Sequence, residues 1–241
     1  MKLCIIVPCY NEANRLPIAD YQTFLEDFPE VGVHFVNDGS TDATLSVLDA
    51  FQTKYPNQVQ VLDYKVNSGK GNAIQKAMQH ALKNNSFDTF AFLDADLSTE
   101  PAECVLLATK INSKTQFVFG SRIKKIDNTI ERKWFRFLVG RIIATAISGI
   151  LNLSVYDTQC GCKIFTKQSA KIAFQDPFLS PWLFDVEVFF RLKKRFGTSG
   201  FKSFSLEVPL AKWKDQGDSK IKWTYGFVLW LELYTIYKKY R

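Results

Sequence analysis

Two aspartates separated by one residue carry the first chemical prediction of this sequence. Asp94 and Asp96 follow an apolar run at residues 90–93. In an extended segment, residues two apart point to the same side, so both carboxylates can reach one hard cation that also takes diphosphate oxygens. The pair therefore predicts a Mg²⁺ or Mn²⁺ site with Asp94 and Asp96 as ligands. For this pattern taken alone, a solvated turn with two acids is the common alternative.

Four other polar or glycine-rich segments also follow apolar runs, at residues 8–12, 37–42, 67–72 and 120–122. In the second segment, Asp38 is suited to hydrogen-bond a ribose or base, although the same residues also suit a turn before a helix. The third segment brings small residues and Lys70 to the start of a helix, where phosphate can approach. It lacks the spacing of a Walker A loop and of the dinucleotide-binding fingerprint, which disfavours an ATPase or a dehydrogenase.

The elements that must position these segments alternate between strand and helix through the first half of the chain. Strands are predicted at residues 3–9, 33–37, 59–64, 89–93 and 116–119, and helices at residues 16–28, 41–55, 71–83 and 101–112. This alternation predicts a mostly parallel sheet with helices on both faces. Because ligands bind at the carboxyl ends of such strands, we expect all five segments at one edge of the sheet.

Two later stretches have amphipathic helical patterns, at residues 131–153 and 225–237. A bilayer span needs about 20 apolar residues, and both stretches are too interrupted or too short for one. Two interpretations remain open. The helices lie on a membrane surface, or they cover the sheet as core helices.

Composition and charge restrict the class of protein. The chain has 241 residues, of which 46% are hydrophobic and 15% aromatic, so it is not a disordered chain. With no clear linker, we expect one domain over residues 1–241.

The charges are unevenly distributed along the chain. The first half, residues 1–121, has 9 Lys and Arg against 14 Asp and Glu, and the second half, residues 122–241, has 22 Lys and Arg against 10 Asp and Glu. The acidic half suits a divalent cation and the basic half an anionic partner.

A nucleic-acid-binding protein is the alternative class for a chain with a net charge of +7. The confinement of positive charge to one half, and the lack of a recognition motif, disfavour it. Five scattered cysteines argue against a disulfide framework and for a reducing compartment, and no signal peptide is apparent.

Taken in order, the motifs VPCYNE, NDGSTD, NSGKGNA, DADLS, GSR, DTQCGCKIF and FDVE resemble family-two glycosyltransferases with the GT-A fold. Within that family the sequence is similar to the dolichyl- and polyprenyl-phosphate sugar synthases, over roughly residues 3–220. The resemblance implies an α/β fold with a mostly parallel central sheet flanked by helices, and with C-terminal amphipathic helices. The residues implied to bind the nucleotide-sugar are Pro8, Tyr10, Glu12, Asp38, Lys70, Asp94 and Asp96, the last two through Mg²⁺ or Mn²⁺.

The same resemblance implies a reaction: inverting transfer of one hexose to a dolichyl or polyprenyl phosphate. UDP-glucose is the implied donor, with GDP-mannose as the first alternative, and a saccharide is the alternative acceptor. The QxxRW signature of processive polysaccharide synthases is missing, which favours a single transfer. The catalytic candidates are Asp96, Arg122 and Asp157.

The acceptor is expected to meet the basic half, because a polyprenyl phosphate is an anion on an apolar chain. Arg122, Lys133 and Arg136 are the candidate phosphate-binding residues, although charges on a helix often form only a solvated face. A phosphate monoester has its second pKa near 6, so its oxygen is largely ionised at neutral pH. Asp157 is therefore expected to position substrate rather than to act as an indispensable base, and the base role is left open.

The expected location is the cytoplasmic face of a membrane, with peripheral attachment. Relatives often carry transmembrane helices, and this chain shows no run of adequate length. The amphipathic helices or a separate membrane-protein partner are expected to hold it there. Asp185 and Glu187 are expected to contact Arg122 or the sugar, or to favour a helix N-terminus. Asp218 departs from the pattern of the family's acceptor loop.

Overall fold

In the computed structural model the described residues are 1–84, 86–131, 134–215 and 225–241, and the side chains described exclude those of residues 135, 136 and 225–227. The strands in this part of the chain are β1 (Leu3–Cys9), β2 (Gly32–Asp38), β3 (Val59–Tyr64), β4 (Thr89–Leu93), β5 (Phe117–Ser121), β6 (Thr129–Glu131), β7 (Cys162–Thr166), β8 (Ser205–Pro209) and β9 (Lys212–Lys214). The helices are α1 (Ile18–Asp27), α2 (Thr44–Lys54), α3 (Lys70–Lys83), α4 (Pro101–Ala108), α5 (Trp134–Leu151), α6 (Lys167–Ala173), α7 (Phe184–Phe204) and α8 (Tyr225–Tyr240).

One seven-stranded sheet organises the molecule, in the order β3-β2-β1-β4-β7-β5-β8. Strands β1 to β4 pair in parallel, and so do β5 and β8. Only β7 among the described strands of this sheet runs against its neighbours, β4 and β5. The predicted α/β fold with a mostly parallel central sheet is confirmed, and strands from both halves of the chain share that sheet.

Both faces of the sheet are covered, as the near-continuous apolar runs of its central strands require. Along β1, side chains alternate between the faces: Cys4 and Ile6 pack with helices α3, α6 and α7, whereas Ile5 and Val7 pack with α1, α2 and α4. Phenylalanines dominate the core on the face covered by α3, α6 and α7, where the centre of the Phe117 ring lies 5.0 Å from that of Phe165. Burying each such ring contributes roughly 1.5–3 kcal/mol. This packing holds the carboxyl ends of β1, β2 and β4 side by side.

Helices α5 and α8 are the two amphipathic stretches for which the sequence left a core role and a membrane-surface role open. Their inner residues, such as Leu151 and Leu233, are buried in the core. Their outer residues include Trp134, Ile142 and Leu231, which are 74%, 67% and 69% exposed. Each helix therefore packs against the core with one face and presents an apolar outer face. Within the described ranges, no helix has the combination of length and apolarity that crossing a bilayer requires.

Candidate active site

A cavity of about 650 Å³ opens at the carboxyl ends of β1, β2 and β4. The residues that line it come from five separate segments of the chain, of which four lie at the carboxyl ends of the parallel strands β1 to β4 and the fifth precedes α7. They are Pro8, Cys9, Tyr10, Glu12, Arg15, Asp38, Asn67, Gly69, Lys70, Asp94, Ala95, Asp96, Pro181 and Trp182. All seven residues predicted to bind a nucleotide-sugar are therefore gathered in one cavity.

The loop after β1 is held by the loop after β2. Asn11 has a φ of 52°, in the left-handed region that asparagine tolerates better than most residues. Its amide donates to Ser40 Oγ at 3.0 Å, and its side-chain oxygen accepts from the Thr41 amide at 2.9 Å. These bonds fix the backbone that presents Tyr10 and Glu12 to the cavity, with Tyr10 40% exposed at its edge.

Asp38 lies at the end of β2 and is almost fully buried. Its Oδ1 accepts hydrogen bonds from the Ser68 amide at 2.9 Å and from the Ser68 hydroxyl at 3.0 Å. These bonds join the end of β2 to the glycine-rich segment before α3. The turn chemistry and the binding role considered from the sequence are therefore compatible at this residue.

Asp94 is clamped between a lysine and a glycine. Lys70 Nζ donates to Asp94 Oδ1 at 2.5 Å. The opposite oxygen, Oδ2, lies where a side chain at residue 161 would begin: a Cβ built on Gly161 would be 2.3 Å from it. Only glycine leaves room for the carboxylate there. This contact brings the DTQCG segment directly against the DxD motif.

Asp96 adopts a different environment. Its Oδ1 accepts from the Ser98 amide at 2.9 Å, an arrangement allowed by the left-handed backbone of Leu97 with a φ of 52°. Burial, and then the negative charge of Asp94, raise the pKa of Asp96 above its usual range. The negative charge of Asp96 is thus incompletely compensated by its surroundings.

These two carboxylates fit a divalent cation. Their oxygens are the hard ligands that Mg²⁺ and Mn²⁺ prefer, and such ions commonly keep few protein ligands and complete their shell with phosphate oxygens and water. In the described residues, no group of three or more His, Cys, Asp or Glu side chains is arranged to hold a metal by itself. A cation at Asp94 and Asp96 would therefore need ligands from a bound diphosphate.

Arg122 and Asp157 form a buried ion pair instead of lining this cavity. Arg122 donates from Nε to Asp157 Oδ2 at 2.7 Å and from a terminal nitrogen to Oδ1 at 2.9 Å. Burial alone would raise the pKa of Asp157, but the charge and hydrogen bonds of Arg122 outweigh it and lower that pKa to about 2. The Asp157 carboxylate is therefore ionised at neutral pH, and both of its oxygens accept hydrogen bonds from Arg122.

The comparison with known proteins agrees with this geometry. The profile of the family described as Glycosyl transferase family 2 matches residues 4–172, which is most of the chain. The chain belongs to glycosyl transferase family 2.

Its relatives in family 2 carry a more specific name. A dolichyl-phosphate beta-glucosyltransferase of Trichomonas vaginalis is 32% identical over 90% of this chain and 65% of its own length. A second such enzyme from that organism is 32% identical over 91% of this chain and 68% of its own length. The dolichyl-phosphate beta-glucosyltransferase of Drosophila melanogaster is 28% identical over 97% of this chain and 72% of its length. The family-2 chain thus spans about two thirds of the length of these relatives.

Solved structures show the same fold. Glucosyl-3-phosphoglycerate synthase from Mycobacterium tuberculosis, in complex with uridine-diphosphate, aligns with a TM-score of 0.66 at 15% identity and covers 98% of this chain and 80% of that chain. The same enzyme in complex with Mn²⁺, uridine-diphosphate-glucose and phosphoglyceric acid aligns with a TM-score of 0.66 at 16% identity over the same shares. At these identities the likeness supports the family-2 fold alone.

Helix α5 of this family-2 chain is joined to the Arg122–Asp157 pair. Arg141 donates to the Tyr156 carbonyl at 2.7 Å, and its guanidinium lies 3.7 Å from the centre of the Tyr156 ring. Glu207 accepts from the amides of Tyr156 and Asp157 at 3.0 and 2.9 Å. Arg141 therefore anchors the segment that carries Asp157.

Other residues singled out from the sequence have their partners inside the fold and outside the cavity. Asp185 accepts from the buried Lys163 at 2.5 Å, and Glu187 pairs with Arg191 at 2.8 Å. These partners replace the expected Arg122 or sugar, whereas both acids lie in the first turn of α7, as the helix-terminus alternative predicted. Cys160 and Cys162 are fully buried, as packing residues are, and all five cysteines are free.

Three predictions fall on residues that the structure does not describe fully. Lys133 and Asp218 lie outside the described residues, and so does the side chain of Arg136. Their roles stay predictions.

Three residues of the cavity lie outside the segments that the sequence singled out: Arg15, Pro181 and Trp182. Arg15 forms an ion pair with Glu12 at 3.3 Å, and its spacing of three residues was the available signal. Pro181 and Trp182 come from a segment far along the chain, and only the fold brings them to the cavity. Their place one residue before the FDVE motif was the only local signal.

Proposed function

We propose that this chain transfers one glucosyl residue from UDP-glucose to dolichyl phosphate, with inversion at the anomeric carbon and with Mg²⁺ or Mn²⁺ as cofactor. One observation carries the proposal. In a family-2 chain with relatives named dolichyl-phosphate beta-glucosyltransferases, all seven predicted nucleotide-sugar residues line a single cavity.

The donor nucleotide is assigned to the side of the cavity formed by β1 and β2. The exposed ring of Tyr10 offers a face for the base, and Asp38, oriented by Ser68, offers a carboxylate to the ribose or base. Pro8 and Glu12 complete this wall. Lys70 lies beside Asp94 at the start of α3 and supplies a positive charge for the diphosphate.

The metal is assigned to Asp94 and Asp96. A divalent cation held by these two carboxylates would supply positive charge to stabilise a departing nucleoside diphosphate. Lys70 and Gly161 hold the Asp94 carboxylate in place, and the Ser98 amide holds one oxygen of Asp96. The protein thus fixes both carboxylates before any substrate arrives.

The acceptor phosphate is assigned to Arg122, with Lys133 and Arg136 as further candidates. A phosphate monoester is largely doubly ionised at neutral pH, so its oxygen attacks without a general base. Asp157, with a pKa of about 2 and both oxygens bonded to Arg122, is a poor proton acceptor. Its role is to orient the Arg122 guanidinium toward the reacting groups.

Peripheral attachment to the cytoplasmic face of a membrane is part of the proposal. The outer faces of α5 and α8 expose large apolar residues, among them Trp134, Ile142 and Leu231. Such faces suit a lipid surface, and the net charge of +12 over residues 122–241 suits anionic headgroups. Five free cysteines fit a reducing compartment. A membrane-protein partner would serve the same purpose.

A transfer assay tests the proposal. The protein is incubated with Mn²⁺, dolichyl phosphate and, in separate reactions, radiolabelled UDP-glucose or GDP-mannose, followed by extraction into organic solvent. We expect label in the lipid phase from UDP-glucose, and its loss when a chelator removes the metal. Label only from GDP-mannose would overturn the donor assignment, and label transferred only to an added saccharide would overturn the acceptor assignment.

A further inference from the structure

One wall of the donor cavity is built by a segment remote from the motifs, residues 176–183, here called the wall segment. Its Pro181 and Trp182 line the cavity. The Pro181 carbonyl accepts from the Gly71 amide at 3.4 Å, and a Cβ on Gly69 would lie 2.8 Å from Pro181 Cβ. The wall segment therefore packs directly on the loop that carries Lys70.

Two buried charged residues of α7, Arg191 and Glu187, form hydrogen bonds to the backbone of the wall segment. Arg191 donates to the carbonyls of Asp176 at 2.7 Å and Pro177 at 2.8 Å. Glu187, which is fully buried, accepts from the Leu179 amide at 2.8 Å through Oε2. Because the segment has no regular secondary structure of its own, these bonds fix its path.

Two side chains of helix α8 form hydrogen bonds to the wall segment and to the carboxylate behind it. The Tyr240 hydroxyl donates to Glu187 Oε1 at 2.7 Å. Glu232, two turns earlier on the same face of α8, accepts from Ser180 Oγ at 2.5 Å. Ser180 is fully buried, and its Oγ accepts in turn from the Leu183 amide at 2.7 Å. Glu232 thus contacts the serine that accepts from the Leu183 amide, just before α7. Tyr240 contacts the Glu187 carboxylate, which accepts from the Leu179 amide.

The connection continues to the residue assigned to the nucleotide. The Phe178 amide donates to Asn72 Oδ1 at 2.8 Å, and Asn72 Nδ2 donates to the Ser68 carbonyl at 3.2 Å. Ser68 in turn donates to Asp38. A continuous series of hydrogen-bonded segments therefore runs from α8 through the wall segment to both sides of the donor cavity.

We propose that Glu232 and Tyr240 of α8 are positioning residues for donor binding: they set the place of Pro181 and Trp182 against the bound nucleoside diphosphate. The inference rests on the proposed function, because it takes the cavity to bind that ligand. It assigns α8 a role inside the molecule, in addition to the surface that the helix presents outside. Neither residue contacts the reacting atoms, so the expected effect falls on donor binding.

The test compares five variants of the full chain. Glu232→Ala and Tyr240→Phe remove the two bonds, singly and together. Glu232→Gln keeps an oxygen acceptor for Ser180 and serves as the conservative rescue. Thr235→Ala, on an exposed position of the same helix, is the matched control.

The readouts are calorimetric affinity for UDP with Mn²⁺, the Michaelis constants for donor and acceptor, and hydrogen exchange of the Leu179 and Leu183 amides. In the double variant we expect faster exchange at both amides and a weakening of UDP binding by about tenfold, the size expected for lost hydrogen bonds. The Michaelis constant for the donor should rise while that for the acceptor stays unchanged. Glu232→Gln and Thr235→Ala should behave as the wild type.

Faster exchange with unchanged UDP affinity would overturn the inference, because the wall segment would then move without consequence for the donor. Unchanged exchange in the double variant would overturn it as well. If the wild-type protein itself bound no UDP, the proposed function would fail. The exchange measurement would then still show whether α8 holds the wall segment, so the two failures are distinguishable.

Discussion

Replacing Gly161 by alanine adds one methyl group at the contact between the DTQCG segment and the DxD motif. The new Cβ would lie 2.3 Å from Asp94 Oδ2 and 2.5 Å from its Cγ, whereas ordinary contact begins near 3.4 Å. The Asp94 carboxylate therefore has to move by about 1 Å, the difference between the two distances. That movement takes it away from the position in which Lys70 holds it.

The expected effects on activity and on stability differ in size. A displacement of about 1 Å at a catalytic group costs roughly 100-fold in rate. Overpacking a core costs about 1–3 kcal/mol of unfolding free energy, and we expect the lower end here because the displaced atoms are the end of a side chain. Gly161→Ala should therefore fold and yet lose most of its transfer activity.

The assay is the initial rate of glucosyl transfer, with urea unfolding measured in parallel. Gly149→Ala is the matched control, since a Cβ at this helical position meets no atom within 4 Å. That control should keep its activity and gain about 0.5–1 kcal/mol of stability, the usual difference between glycine and alanine in a helix. Wild-type transfer rates in Gly161→Ala would refute the claim that the site depends on the placement of Asp94.

Three further outcomes are expected. Burial and the charge of Asp94 raise the pKa of Asp96 in the folded protein, so the ionised carboxylate destabilises the fold at any pH above the pKa of Asp96 in the unfolded chain. Asp96→Asn should therefore raise the Tm of the metal-free protein at neutral pH, and this gain in Tm should vanish in acid. Despite burial, Arg122 lowers the pKa of Asp157 from 3.8 to about 2, so roughly 2 kcal/mol of stability should disappear as the pH falls through that window. In a series of urea unfolding curves, Asp157→Asn should lack this loss and should be less stable at neutral pH by about 3 kcal/mol or more, because Arg122 stays buried without its counter-ion. Changing the exposed Ile142 and Leu231 together to glutamate should reduce co-sedimentation with vesicles containing phosphatidylserine and leave the Tm unchanged; equal sedimentation would contradict the membrane assignment.

The parallel part of the fold was predictable because its signals are local. Strands β1, β3 and β4 have the predicted ends, since apolar runs bounded by polar tips mark them clearly. The predicted helix at residues 101–112 ends at Ala108, and α5 begins at Trp134 rather than at residue 131. Ends of this kind depend on packing and capping, which periodicity does not record.

The antiparallel strand β7 and the short pair β6 and β9 were not predicted. Strand β7 begins within the DTQCGCKIF motif, and its place between β4 and β5 depends on pairing with residues about 45 to 75 positions away. The three-residue strands β6 and β9 are too short to show a period.

The candidate site divides in the same way. The seven predicted cavity residues lie at or just after strand ends, so their grouping at one edge was a consequence of the fold class. The pairing of Arg122 with Asp157 and the clamping of Asp94 by Gly161 join distant segments, and no spacing in the sequence predicts them. The partner of Asp185, Lys163, was missed for that reason, whereas the Glu187–Arg191 pair has a helical spacing of four residues that the sequence does show.

The central claim, that Asp94 and Asp96 hold a divalent cation beside a nucleoside diphosphate in this cavity, is tested most directly by calorimetric titration of UDP. The titration is performed on the wild type and on Asp96→Asn, each with Mn²⁺ and with a chelator. We predict that Mn²⁺ strengthens UDP binding to the wild type by at least about tenfold and has no such effect on the variant. Equal UDP affinity in all four titrations would contradict the account.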